Sequence, residues 1–215
     1  MRDFIDRLQN FRYFFLLISL IALMIVSPVF EATKHDQSVV AALFTLVLLS
    51  AVNAASDKRW QRIFAVSLAV PWLVLRWGGE PLGFGEGDIE RDILLVAMTG
   101  FAIAVVLGHV LNEKEVSFDI LCGAVAIYLL LGVSWAIAFG VLESLAPGTI
   151  FHTNTNAELT STDLLYFSFT TLTTLGYGDV TPISPVARIW ANLEAVMGTL
   201  YIAVLVARLV SLYRR

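Results

Sequence analysis

Thr174-Leu175-Gly176-Tyr177-Gly178-Asp179 is the stretch on which the reading of this chain turns, and Phe167-Ser168-Phe169-Thr170-Thr171-Leu172-Thr173 leads into it. Backbone carbonyls can replace the water shell of a bare monovalent cation only if consecutive C=O groups face one axis, which demands alternating backbone handedness. Glycine at alternate positions permits that. Gly176 and Gly178 have the spacing, Tyr177 between them supplies a bulky outward-facing ring, and Thr174 adds a hydroxyl at the inner end. A bare Gly-x-Gly reads first as a turn. The threonine-rich run before it, the aspartate after it and the apolar spans on both sides turn that reading toward a cation-coordinating loop.

Composition sets the loop in a membrane. Of 215 residues, 58% are hydrophobic and only 15% charged, more apolar surface than a soluble domain can bury. The expected fold class is therefore an all-α membrane protein. A net charge of −4, spread along the chain, suggests no nucleic-acid partner. Cys122 stands alone in an apolar stretch and reads as a packing residue. The first apolar run, residues 13–26, lacks the small-residue cleavage site of a signal peptide and reads as a retained helix.

A hydrocarbon core of about 30 Å needs roughly 20 helical residues. On that ruler six spans are expected, at 11–30, 39–55, 62–77, 92–111, 118–145 and 186–213, with a shorter re-entrant segment before the loop. Basic residues set the orientation. Arg2, Arg7 and Arg12 precede the first span, Lys58, Arg59 and Arg62 separate the second and third, Lys114 separates the fourth and fifth, and Arg214 and Arg215 follow the sixth. These segments, and with them both termini, are expected in the cytoplasm of a multi-pass plasma (inner) membrane protein. The opposite loops carry only Lys34, Arg91 and Arg188.

Two units are expected: a four-helix bundle over 1–115 and a pore domain over 116–215. Pro71 predicts a kink in the third span, and Arg76 a snorkelling side chain at its outer end. The fourth span occupies the place of a voltage sensor without its chemistry. One charge gains only about 2.3 kcal/mol per 100 mV, so such a helix needs several cations, and 93–111 contains no arginine or lysine. His109 reads there as a capping or packing residue. Residues 143–161, with Pro147-Gly148, read as a solvated outer turret. Thr160 with Asp163 offers a capping box for a short helix running to about Thr173, whose C-terminal carbonyls would favour a cation at the inner end of the loop. Residues 176–181 form the returning strand, and Pro185 starts the last helix.

Residues 167–213 resemble the pore module of the two-transmembrane potassium-channel family, here in the six-span layout of prokaryotic potassium channels. The resemblance rests on residues 167–182, on Leu193-Glu194-Ala195-Val196-Met197-Gly198 and on Leu205-Val206-Ala207-Arg208-Leu209-Val210. It implies that the carbonyls of Thr174, Leu175, Gly176 and Tyr177, with the Thr174 hydroxyl and the turn at Gly178, form stacked potassium sites. It further implies that Tyr166 and Phe167 brace the filter tyrosine where many relatives carry tryptophan. Leu175 stands where the family pattern has valine. The first four spans carry no family motif.

Glu194 is an acid inside a span and hence a functional candidate; four residues before Gly198, it reads as support behind the filter rather than as a contact for ions. Asp179 reads as an anchor of the outer filter, or as negative potential at the mouth. Gly198 fits a gating hinge and close helix packing equally well. One loop covers only one side of a cation, and the chain holds a single copy, so four chains around an axis are expected: a homotetramer in the bilayer. The resulting expectation is passive potassium conduction, without steep voltage gating and without a cofactor beyond potassium as permeant ion. A weakly selective cation channel is the alternative, and a potassium transporter subunit a remoter one. An enzyme is not expected, because His-Glu-x-x-His, a Cys/His cluster and a nucleophile elbow are all missing.

Overall fold

The computed structural model describes residues 11–32, 38–54, 59–82, 89–113, 115–153 and 159–213. Helices α1 (Arg12–Ala32), α2 (Ser38–Ala54), α3 (Arg59–Leu82), α4 (Ile89–Asn112) and α5 (Phe118–Leu145) come first. They are followed by strand β1 (Ile150–His152), the short helix α6 (Ser161–Leu172), strand β2 (Val180–Pro182) and helix α7 (Pro185–Tyr213). A long helix thus falls at each of the six expected spans. Four of them, α1, α4, α5 and α7, are by length and apolarity able to cross a membrane. Helix α2 has 17 residues, and α3 carries Arg59, Arg62, Arg76 and Glu80 within its 24. The cations Arg2, Arg7, Lys34, Lys58, Lys114, Arg214 and Arg215 lie outside the described residues, as do the side chains of Arg62 and Arg76 and turret residues 154–158.

Helix α1 buries one stripe, Tyr13, Leu16, Leu20 and Leu23, and leaves Phe15, Ile18, Ile21 and Ile25 exposed on the other. The spacing of the buried set is that of a single helical face, while the exposed apolar set suits lipid. The stripe packs into a core with Ala102 and Val106 of α4, Ile127 and Leu130 of α5, and Leu172 at the end of α6. This core runs across residue 115, the expected boundary between the two units. A second cluster, around Phe139, Phe167 and Val180, joins α5, α6 and the strands. A third ties α3 to α4 through Ala69, Trp72, Leu95 and Met98.

Helix ends are set by side-chain oxygens that satisfy otherwise orphaned backbone N–H groups. Ser117 caps α5, its Oγ accepting from the Ile120 amide at 3.2 Å. The expected capping box is present, with Thr160 accepting from the Asp163 amide and Asp163 from the Thr160 amide. Helix α1 receives its cap from another element. Asp119 Oδ1 accepts from the amides of Tyr13 and Phe14 at 3.1 and 3.0 Å. Glu143, expected in the solvated turret, lies in the last turn of α5, where its carboxylate accepts from the Gly148 and Ile150 amides at 2.5 and 3.0 Å. That turns the chain back into β1, so part of the turret is strand: β1 pairs antiparallel with β2, Ile150 opposite Pro182 and His152 opposite Val180.

Candidate functional site

Helix α6 stops at Leu172, one residue short of expectation, with Thr173 as its C-cap. Loop amides consume its free carbonyls: Thr174 N–H donates to Thr171 O at 2.9 Å, and the Leu175 and Gly176 amides both donate to Thr170 O, at 2.8 and 3.1 Å. In a planar trans peptide the C=O points opposite to the N–H. The carbonyls of Thr173, Thr174 and Leu175 therefore point away from α6. Among the described residues no hydrogen bond ends on the carbonyls of Thr174, Leu175, Gly176 or Tyr177.

Backbone handedness alternates as the sequence requires. Thr174, Gly176 and Gly178 have φ of 59°, 52° and 80°, with Leu175 and Tyr177 between them on the ordinary side. Alternation of this kind turns successive peptides to present like atoms on one side. Two of the left-handed positions are glycine, which adopts them freely. Thr174 is the sole non-glycine at positive φ among the described residues. For a β-branched residue that conformation costs about 1–3 kcal/mol and persists where the surroundings enforce it. Here the three amide bonds onto α6 do the enforcing.

Tyr166, Tyr177 and Asp179 come together at the outer end. The Tyr166 and Tyr177 rings stack, centroids 6.5 Å apart and 1° from parallel, and the Tyr166 hydroxyl donates to Asp179 Oδ2 at 2.8 Å. That bond holds the Asp179 carboxyl below the usual carboxylate range and pushes the Tyr166 phenol up to about 12. Asp179 Oδ1 accepts from the Val180 amide at 3.1 Å. Phe167 is not part of this group. It is buried in the second cluster, edge-on to Phe139 at 4.9 Å, and so supports α6 from behind.

Glu194 is fully buried on α7. Its Oε1 lies 2.5 Å from the Ser168 hydroxyl, which also lies 2.7 Å from Gly132 O of α5, so the acid meets the back of α6 rather than the loop. Gly198 sits where α7 crosses the end of α6, and a Cβ there would collide with the Leu172 carbonyl oxygen. The structure thus gives this glycine a packing task. His109, at the end of α4, donates from Nδ1 to Val105 O at 2.8 Å within its own helix.

Residues 120–215 match the ion channel family. The chain is also 34% identical over 82 residues to the inward rectifier potassium channel Kirbac3.1 of Paramagnetospirillum magnetotacticum, covering 36% of this chain and 24% of that protein. It is 33% identical over 79 residues to two pore potassium channel c of Oryza sativa subsp. japonica, covering 33% of this chain and 17% of that one. The chain therefore spans a quarter or less of the relatives it matches. No solved structure matches it. These likenesses point to a channel and not to an enzyme.

Three partners of the site escape a reading of the sequence. Ser168 reads there as one more small polar residue of the threonine-rich run, and nothing links it to Glu194. Thr153, whose hydroxyl donates to Gly178 O at 3.2 Å, sits in the turret, and Gly132 in an unbroken apolar span. At Gly132 a Cβ would run into the Phe169 ring, so the glycine lets α5 and α6 touch. A glycine within a long apolar helix is the only signal the sequence offered for it.

Proposed function

We propose that this chain is a subunit of a potassium-selective channel in the plasma membrane, conducting passively through a homotetrameric pore, with both termini cytoplasmic and no steep voltage gating. The observation that carries the reading is the loop backbone: alternating handedness over 174–178, with its inner amides bound to α6 and carbonyls left without protein donors. Oxygens so placed suit a dehydrated cation. Among the described residues no three His, Cys, Asp or Glu side chains converge, so backbone oxygen is the ligand set on offer. The family match over 120–215 supports a channel, and the two potassium-channel relatives favour potassium as its ion.

Assembly follows from what a single chain leaves open. Leu175 and Tyr177 are 56% and 69% exposed, and α7 presents Leu193, Val196 and Leu200 to its surroundings. Four copies around one axis would enclose the loop and cover that helix. On this reading α5 to α7 form the pore, α1 to α4 its peripheral bundle with six crossings in all, and potassium is the permeant ion with no cofactor.

The test is single-channel recording of purified protein in a planar bilayer, potassium on one side and sodium on the other, at voltages of both signs. Reversal near the potassium equilibrium potential, with opening little altered by voltage, is the expected result. Reversal near zero would instead mean a weakly selective cation channel, slow saturable flux without unitary steps a transporter, and steep voltage dependence a misread fourth helix.

A further inference from the structure

We propose that Thr153, in the turret, is the positioning residue for the outermost loop carbonyl, that of Gly178, and so governs how long the loop keeps its conducting shape. This rests on reading the loop as a potassium filter. The Thr153 hydroxyl donates to Gly178 O at 3.2 Å, and its amide donates to Asp179 O at 2.7 Å. Both bonds follow from the hairpin. With His152 opposite Val180, the next residue of the turret strand falls opposite Asp179, and its short side chain reaches one residue further.

Gly178 is the weak joint between two fixed segments. Inward, the Leu175 and Gly176 amides are held by Thr170 O. Outward, Asp179 is held three times: by the Thr153 amide at its carbonyl, by Tyr166 at Oδ2 and by Val180 at Oδ1. Between them Gly178 has φ of 80° and no Cβ, so its peptide turns with little steric resistance. Among the described residues the Thr153 hydroxyl is the one hydrogen-bond donor to its carbonyl. The hydroxyl occupies one of the two lone pairs of that carbonyl and so fixes its direction, whereas among the described residues the carbonyls of Thr174 to Tyr177 have no protein donor. Both partners are exposed; water that replaces the hydroxyl satisfies the carbonyl without fixing its direction.

The test compares Thr153→Val and Thr153→Ser with the wild type, reconstituted in planar bilayers and held under sustained potassium current at high and low outside potassium. Losing one such hydrogen bond predicts decay of conduction about fivefold faster in Thr153→Val, most clearly at low outside potassium, with Thr153→Ser behaving as wild type. Thr153→Ala carries the same expectation should the valine variant not assemble. Decay at the wild-type rate in the variants lacking the hydroxyl overturns the inference, and so does Thr153→Ser decaying as fast as they do, because the hydroxyl would then be irrelevant. A wild-type chain with no selective potassium current removes the filter reading as well, whereas a conducting wild type matched by Thr153→Val removes this inference alone.

Discussion

Replacing Gly198 by alanine separates packing from hinge action. Helix propensity alone favours alanine over glycine by about 1 kcal/mol in a helix interior. Gly108→Ala, on α4, isolates that gain, because a Cβ there meets nothing within 4 Å. At Gly198 the same methyl is driven into the Leu172 carbonyl oxygen and lies 2.9 Å from Leu172 Cδ1. The side-chain end can swing aside. The carbonyl sits at the end of α6, with the Tyr128 hydroxyl on it at 3.4 Å and Leu172 itself buried. Overpacking costs about 1–3 kcal/mol, and a backbone obstacle selects the upper end. Set against the propensity gain, the net loss is about 2 kcal/mol per subunit. For a chain of this length that lowers the thermal unfolding midpoint by about 4–8 °C. Tryptophan-fluorescence melts of the detergent-solubilised protein read it directly, with Gly108→Ala expected to shift a few degrees upward. A Gly198→Ala midpoint at or above wild type would show that the crossing has room for a methyl. A variant that melts like wild type yet opens less often would place the glycine's task in bending.

Other residues give readings of their own. Asp119→Ala removes the acceptor shared by the Tyr13 and Phe14 amides; a lost cap is worth about 1 kcal/mol, so those amides should exchange hydrogen about fivefold faster, and unchanged exchange would deny the cap. In Tyr166→Phe the Asp179 carboxyl loses the bond that does most to lower it, so its titration, followed by carbon NMR, should move up toward the ordinary carboxylate range. The sign is that of a depressed acid: its stabilisation is present above the ordinary carboxylate value and lost as pH falls through the lower folded one, so the variant, with less depression, has less of this contribution and loses less on acidification. At the alkaline end the Tyr166 contribution is complete below about 10, the ordinary phenol value, and is lost as pH rises through about 12. Ser168→Ala strips Glu194 of its hydrogen bond and should destabilise by about 1–3 kcal/mol, while Glu194→Gln, whose amide still reaches Ser168, should melt near wild type; equal melting of wild type and Ser168→Ala would sink the pairing.

Much of this architecture is written locally. The long helices follow from runs of apolar residues, the start of α6 from Thr160 and Asp163, and the alternating loop from two glycines one residue apart. Each signal lies within a few residues of its consequence. What the sequence conceals is contact between distant positions. Ser168 and Glu194 are 26 residues apart, Thr153 and Gly178 are 25, and Asp119 and Phe14 are 105. No spacing rule relates such pairs. Strand β1 is hidden for another reason: three residues, Ile150-Phe151-His152, are too few to establish a period of two, and only β2 gives them a partner. Gly198 is ambiguous in sequence because hinge and crossing both want the smallest residue; the carbonyl of Leu172, on another element, gives it a packing partner.

The same distant contacts bear on what the first four helices do. Between 93 and 111 helix α4 has no arginine or lysine, so a membrane field has almost nothing there to act on. Packing offers another route. Tyr13 of α1 lies against Gly123 of α5, where a Cβ would stand 3.1 Å from the ring. Leu16 and Leu20 share a core with Leu172, two residues before Thr174. At the end of α4, Arg208 of α7 donates from Nη2 to Glu113 O at 2.8 Å. Helices α1 and α4 are thus joined to α5, α6 and α7 by a close-packed core beneath the loop, by the Asp119 cap on α1 and by a hydrogen bond near the end of α7. Close-packed interiors transmit displacement rather than absorb it. On the proposed reading, a force that shifts α1 in the bilayer bears on α6 through Leu172, while one that moves Glu113 bears on α7 through Arg208. On that reading the peripheral helices can therefore couple to the pore mechanically, whereas α4 carries no arginine or lysine between 93 and 111 for a field to move.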